Sequence, residues 1–118
     1  MRMDIKIIVL TLSLCLVPLT VLAQGTSKET EGESLFRINC SVCHPQGGNI
    51  FNPQKTLSKK DREANNIKSA QDIVRKMRNP GALATHPDEW SGMKMFDEKA
   101  ISDKDALEIA DYIIETFK

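Results

Sequence analysis

Apolar residues fall into one continuous run near the start of the chain and into short periodic groups after it. The run extends from Ile7 to Leu22, broken only by small or hydroxylic residues, Cys15 and Pro18. Polar residues 24–31 follow. Leu35, Phe36 and Ile38 then supply the apolar face of a helix that starts near Thr30 to Gly32 and ends at Cys40. From Pro45 to Pro53 the Gly47-Gly48-Asn49 and Asn52-Pro53 groups are turn chemistry, which predicts a loop. A short helix is expected from Ser58 to about Asn65, with Ser58 as its cap. Ser69 caps the next one: Ala70, Ile73, Val74 and Met77 have helical spacing, and Asp72 stands at the capping-box position. Asn79-Pro80-Gly81 ends it, and residues 82–101 form a long loop with His86, Trp90, Met93 and Met95. Ser102 caps the best helix, where Ala106, Ile109, Ala110, Ile113 and Phe117 recur on one face. Asp103 and Asp105 in its first turn suit the helix dipole. No segment alternates well enough to be a strand, so the expected fold class is all-α, with three to four short helices and long loops.

Charge changes the reading of the first run. Arg2 and Lys6 precede it and Val21-Leu22-Ala23 close it, which is the pattern of an export signal covering residues 1–23. The alternative is an uncleaved anchor. The run has 16 residues, short of the roughly 20 that a spanning helix needs, and Pro18 interrupts it. Leu14 before Cys15 is too bulky for a lipidation signal. The expected mature chain is therefore residues 24–118, a flexible tail to residue 31 followed by one domain over 32–118, in an exported, periplasmic setting. That stretch carries 14 basic and 15 acidic side chains, net −1, which argues against nucleic acid as a partner.

Only Cys40 and Cys43 remain in it as cysteines. An oxidising compartment permits a disulfide between them, but a bond across two residues staples nothing distant. Cys40-Ser41-Val42-Cys43-His44 instead has the spacing of covalent haem attachment, in which two thiols add to the vinyl groups on one haem edge and the next His supplies the proximal nitrogen. A zinc site would need a fourth ligand, for which His86 is the one obvious candidate. A thioredoxin-like motif would need a βαβ setting that the pattern lacks. Haem also answers a deficit, because six aromatic residues and a few short helices make a thin core.

With Gly32-x-x-Leu35-Phe36, the Cys40–His44 motif, Gly47-Gly48-Asn49, Asn52-Pro53-Gln54-Lys55-Thr56-Leu57, a Met loop ending in Phe96 and a last helix bearing Tyr112, the chain resembles the small class I cytochromes c, most closely the c-six type. The resemblance implies one haem c held by Cys40 and Cys43, iron bound by His44 and by a Met sulfur, and a crossing of first and last helices at Gly32. The family spacing of Met, two residues, then Phe selects Met93, with Met95 as second choice. Met77 reads as core. The segment from Ala82 to Gly92 is longer than the family pattern, and its His86 is a rival ligand that would give bis-His coordination. Trp90 is a candidate to cover the haem. The Asn52–Pro53 loop is the expected source of the carbonyl that orients His44, and Asn49 or Gln54 are candidates to hydrogen-bond a haem propionate.

An iron with both axial positions filled implies a one-electron carrier and no enzyme. The alternatives are a haem-based sensor or small peroxidase with a displaceable sixth ligand, and a subunit of a larger respiratory complex. Redox proteins are the expected partners of a monomeric chain. Residues 55–78 hold eight basic side chains against three acids, whereas 97–118 hold three against seven. The basic stretch reads either as solvated helix faces or as a patch that steers an acidic partner.

Overall fold

The computed structural model describes residues 28–81 and 92–118, and among these every regular element is helical. The helices are α1 (Glu31–Asn39), α2 (Lys59–Ala64), α3 (Ala70–Arg78) and α4 (Asp103–Thr116), with a single 3-10 turn at Pro45–Gly47 in the expected loop. Each α-helix starts on a hydroxyl that accepts a backbone N–H of its first turn. These are Thr30 from Glu33, Ser58 from Asp61, Ser69 from Asp72 and Ser102 from Asp105. At α3 the capping box is complete. The Asp72 carboxylate accepts the amides of Lys68 and Ser69, both at 2.9 Å, and pairs with Arg75. Those bonds, led by the Lys68 amide, hold its pKa well below the usual carboxylate range. The polar tail is tied down where it is described, through Glu29 to Arg37 at 2.9 Å and Glu31 to Lys104 at 3.2 Å.

α4 is the spine, packed on both α1 and α3. Its Ala106, Ile109, Ala110 and Ile113 are buried, as the periodicity required, together with Phe36 from α1 and Ile73 and Met77 from α3. Ile101, just before α4, completes that core. The crossing of α1 and α4 is set by Gly32: a Cβ there would lie 2.3 Å from the Glu108 carbonyl oxygen and 2.9 Å from Tyr112 Cβ. The backbones approach so closely because glycine has no side chain. Below the crossing, the Phe36 ring packs at 5.3 Å from Tyr112 and 5.6 Å from Phe117, ring centre to ring centre. Phe117 in turn covers Gly47, which has φ +80°.

One expected core residue is not in the core. Ile38 is 65% exposed, on the opposite side of α1 from Phe36. Two helical positions turn the side chain by about 200°, so both cannot face α4.

Candidate functional site

α1 ends where the cysteine motif begins. The amides of Cys40 and Ser41 both bond to the Phe36 carbonyl, and His44 N–H bonds back to Cys40 at 2.8 Å, so the motif is a tight coil continuing the helix. Cys40 and Cys43 are free thiols. Burial, helped by Cys43, pushes the Cys40 thiol up to about 11, so it stays protonated near neutrality.

His44 Nδ1 lies 2.8 Å from the Gly48 carbonyl oxygen. A carbonyl accepts only, so Nδ1 carries the proton and Nε2 keeps the lone pair a metal needs. The expected source of this carbonyl, the Asn52–Pro53 loop, is thereby corrected. The 3-10 turn brings Gly48 back over the ring, four residues on. The 49–55 loop is held by Asn49, which donates to Lys55 O at 2.9 Å and accepts from the amides of Phe51 and Asn52 at 2.9 and 3.0 Å, and by the Ile50 amide, which bonds to Cys43 O at 3.1 Å. Asn49 lines the cleft with one of its two amide hydrogens given to Lys55 O, whereas Gln54 is exposed and outside the lining.

Cys40, Cys43 and His44 open onto a cleft of about 580 Å³. Ile73 and Met77 of α3 and Ile109 and Ile113 of α4 form its apolar floor, and Asp61 and Arg62 of α2, with Asn65 just past its end, form one side. Met93 lines the cleft and packs on the core, whereas Met95 is 61% exposed and lies outside the lining. Met77 also reaches the cleft but is 3% exposed, as its place on the apolar face of α3 foretold. Asn52 lines the cleft; Pro53 is exposed and does not. His86 and Trp90 lie outside the described residues.

Two arginines that sequence reasoning counted only as charge hold this arrangement. Arg78 donates to Phe96 O at 2.9 Å and to Asp103 at 2.6 Å, while Phe96 N–H bonds to Met77 O at 2.9 Å. The Met93 loop is thus fastened at Phe96 to the end of α3 and the start of α4. Arg62 is buried at 5% exposure and donates to Leu57 O at 2.8 Å and Phe117 O at 3.4 Å. A signal for it existed: α2 has Ala64 as its sole apolar residue, so a polar side chain has to cover its inner face.

The cleft fits a haem on its own chemistry. Two unpaired thiols, an imidazole with its second nitrogen oriented, a thioether and apolar walls meet in a volume within the roughly 300–1,000 Å³ of cofactor sites.

Comparison with known proteins agrees. The sequence model of the family "Cytochrome C oxidase, cbb3-type, subunit III" matches residues 27–113. The chain is 31% identical to cytochrome c6 of Cyanidium caldarium over 92% of its own length and 89% of the relative's. Among solved structures it is similar to OmcF, outer membrane cytochrome F of Geobacter sulfurreducens, at 41% identity and TM-score 0.63, over 74% of this chain and 99% of that one. Cytochrome c6C of a Synechococcus, at 20% identity and TM-score 0.61 over 75% and 95% of the two chains, shares the fold.

Proposed function

This chain belongs to the small class I c-type cytochromes of the c6 type, which carry one covalently attached haem c and transfer electrons, and we propose that it works as a one-electron carrier with iron held between His44 and Met93. The observation that carries the proposal is the convergence of Cys40, Cys43, His44 and Met93 on one cleft. The haem supplies an iron that alternates between ferrous and ferric states. The residues do the rest. Cys40 and Cys43 hold the group by thioether bonds. His44, turned by Gly48, would offer Nε2 to the iron, and Met93, on a loop fastened through Phe96, would offer its sulfur. Ile73, Ile109 and Ile113 line the cleft and would keep water from a bound haem iron. An iron held by both His44 and Met93 would have no position open to substrate, which is the chemistry of a carrier rather than a sensor or peroxidase.

Met93→Ala is expected to abolish the far-red iron–sulfur band of the oxidised protein and to lower its reduction potential, since a Met/His pair raises it. Survival of the band would move the sixth ligand to another residue.

Export through residues 1–23 is part of the same proposal. Among the described residues, no helix is long and apolar enough to cross a membrane. For docking, the basic stretch is narrower than its sum suggests. Arg62 is buried, Arg75 pairs with Asp72 and Arg78 with Asp103. Lys59 pairs with Glu63 at 4.0 Å, which leaves the exposed Lys60 and Lys68 to steer an acidic redox partner. Reduction by that partner is expected to slow as salt rises, because exposed charges are screened within about 8 Å at physiological ionic strength. A salt-independent rate would rule the lysines out.

A further inference from the structure

The orientation of His44 depends on a turn that does not hold its shape unaided. Between His44 and Gly48 the chain runs through Gln46 at φ +52° and Gly47 at φ +80°, two successive residues in the left-handed region. Glycine sits there without steric cost, but glutamine does not, and strained backbone persists only where its surroundings over-determine it. Pro45 and Gln46 are exposed and Gly47 is buried, so the turn is gripped through Gly47. Two contacts grip it. The Gly47 carbonyl accepts the Leu57 amide at 2.7 Å, and the Phe117 ring lies flat against the Gly47 backbone. A Cβ at Gly47 would meet Cδ1, Cε1 and Cγ of that ring at 2.5, 2.6 and 2.8 Å.

Phe117 is itself held on several sides. Its amide continues α4 to the Ile113 carbonyl at 3.0 Å, and its carbonyl accepts the Lys59 amide at 2.9 Å and Arg62 Nη2 at 3.4 Å. Its ring packs 5.6 Å from that of Phe36 and edge-on at 6.0 Å from that of Tyr112. Leu57 and Lys59 belong to one short stretch, so a closed circuit runs from Gly47 through Leu57 and Lys59 to Phe117 and back to Gly47. Neither Phe117 nor Gly47 lines the cleft. An effect of Phe117 on a haem there has to pass through the turn.

We propose that Phe117 is a positioning residue for the proximal histidine: by pressing on Gly47 it holds the Gly48 carbonyl against His44 Nδ1 and so tunes the reduction potential. The role rests on His44 binding the haem iron in this cleft. Nδ1–H donates to Gly48 O at 2.8 Å, and no proton is transferred. That bond makes the imidazole more basic at Nε2, which favours ferric iron. With a smaller side chain at 117 the turn relaxes, the bond weakens and the potential rises. Water entering a loosened core acts in the opposite direction, because it stabilises the more highly charged ferric state and lowers the potential. The sign of the change therefore separates positioning from space filling.

The test is a redox titration of the wild-type, Phe117→Leu and Phe117→Tyr holoproteins, each first checked for covalent haem on a denaturing gel. The proton resonance of His44 Nδ1–H is recorded on the ferrous forms alongside. Phe117→Leu is expected to raise the one-electron reduction constant about fivefold, the equivalent of one ordinary hydrogen bond, and to move that resonance upfield. Phe117→Tyr retains the ring and is expected to keep both wild-type values. A Leu variant whose potential does not rise, or whose Nδ1–H resonance does not move, would overturn the proposal, as would a Tyr variant that behaves like Leu. Should Leu prevent folding, hydrogen exchange of the wild-type holoprotein decides it. His44 Nδ1–H and the Leu57 amide both bond to the turn, so they are expected to share one opening free energy, and separate openings would overturn the proposal. Absence of covalent haem in the wild type would instead refute the reading of the cleft on which the role rests.

Discussion

Replacing both Cys40 and Cys43 by alanine is expected to abolish covalent haem and to leave the chain largely unfolded at 25 °C. Four of the eight core residues, Ile73, Met77, Ile109 and Ile113, also line the cleft, so their second contact surface is the cofactor. Fully burying a side chain of this size contributes roughly 1.5–3 kcal/mol. Losing even part of that at four positions is comparable with the roughly 5–15 kcal/mol by which a whole domain is stable. Two of the other four core residues are alanines, which leaves Phe36 and Ile101 to carry the remainder. Haem staining of denaturing gels and the helical circular dichroism of the purified variant check both halves. Retained staining would refute the attachment site, and retained helicity without haem would refute the dependence of folding on it.

Gly32→Val is expected to destabilise the holoprotein by about 3 kcal/mol, which for a domain of this size lowers the melting temperature by roughly 12–24 °C. The first atom met is the Glu108 carbonyl oxygen, at 2.3 Å from the new Cβ, and the third is the Glu108 carbonyl carbon at 3.0 Å. Main chain inside a helix cannot rotate aside as a side-chain tip can, so α1 and α4 have to separate. Helix propensity works in the opposite direction, but replacing glycine recovers at most about 1 kcal/mol. Gly81→Ala is the control, since among the described residues its Cβ would meet nothing nearer than the Asn79 Oδ1 at 3.8 Å. Equal melting temperatures for the two variants would show that the crossing is looser than its geometry.

What the sequence made legible is what depends on neighbours along the chain. Ser58, Ser69 and Ser102 were readable as caps because a hydroxyl bonds an amide three residues on, whatever the tertiary setting. The face of α4 followed from its period, and the cleft's Cys40, Cys43 and His44 from their spacing. Met93 over Met95 came from the family pattern alone; Met93 is partly buried and lines the cleft, whereas Met95 is exposed. What failed depends on turns and on distant partners. Ile38 was grouped with Phe36 because both are apolar, although the helix carries them to different sides. The Gly48 carbonyl became the partner of His44 through one 3-10 turn with Gln46 at φ +52°, a conformation no composition rule announces. Arg62 looked like surface charge because its acceptors, above all Phe117 at the far end of the chain, are invisible in a local window.

The fastening of Phe96 has a consequence for how the molecule opens. Its amide is held by Met77 and its carbonyl by Arg78, so both main-chain groups of one residue belong to the last turn of α3. Arg78 also grips Asp103, where α4 begins. Exchange of the Phe96 amide hydrogen therefore requires its bond to Met77 O to break, an opening at the junction of the Met93 loop with the end of α3. If Met93 holds the iron, release of its sulfur is expected to accompany that same local opening, which exchange of the Phe96 amide would report.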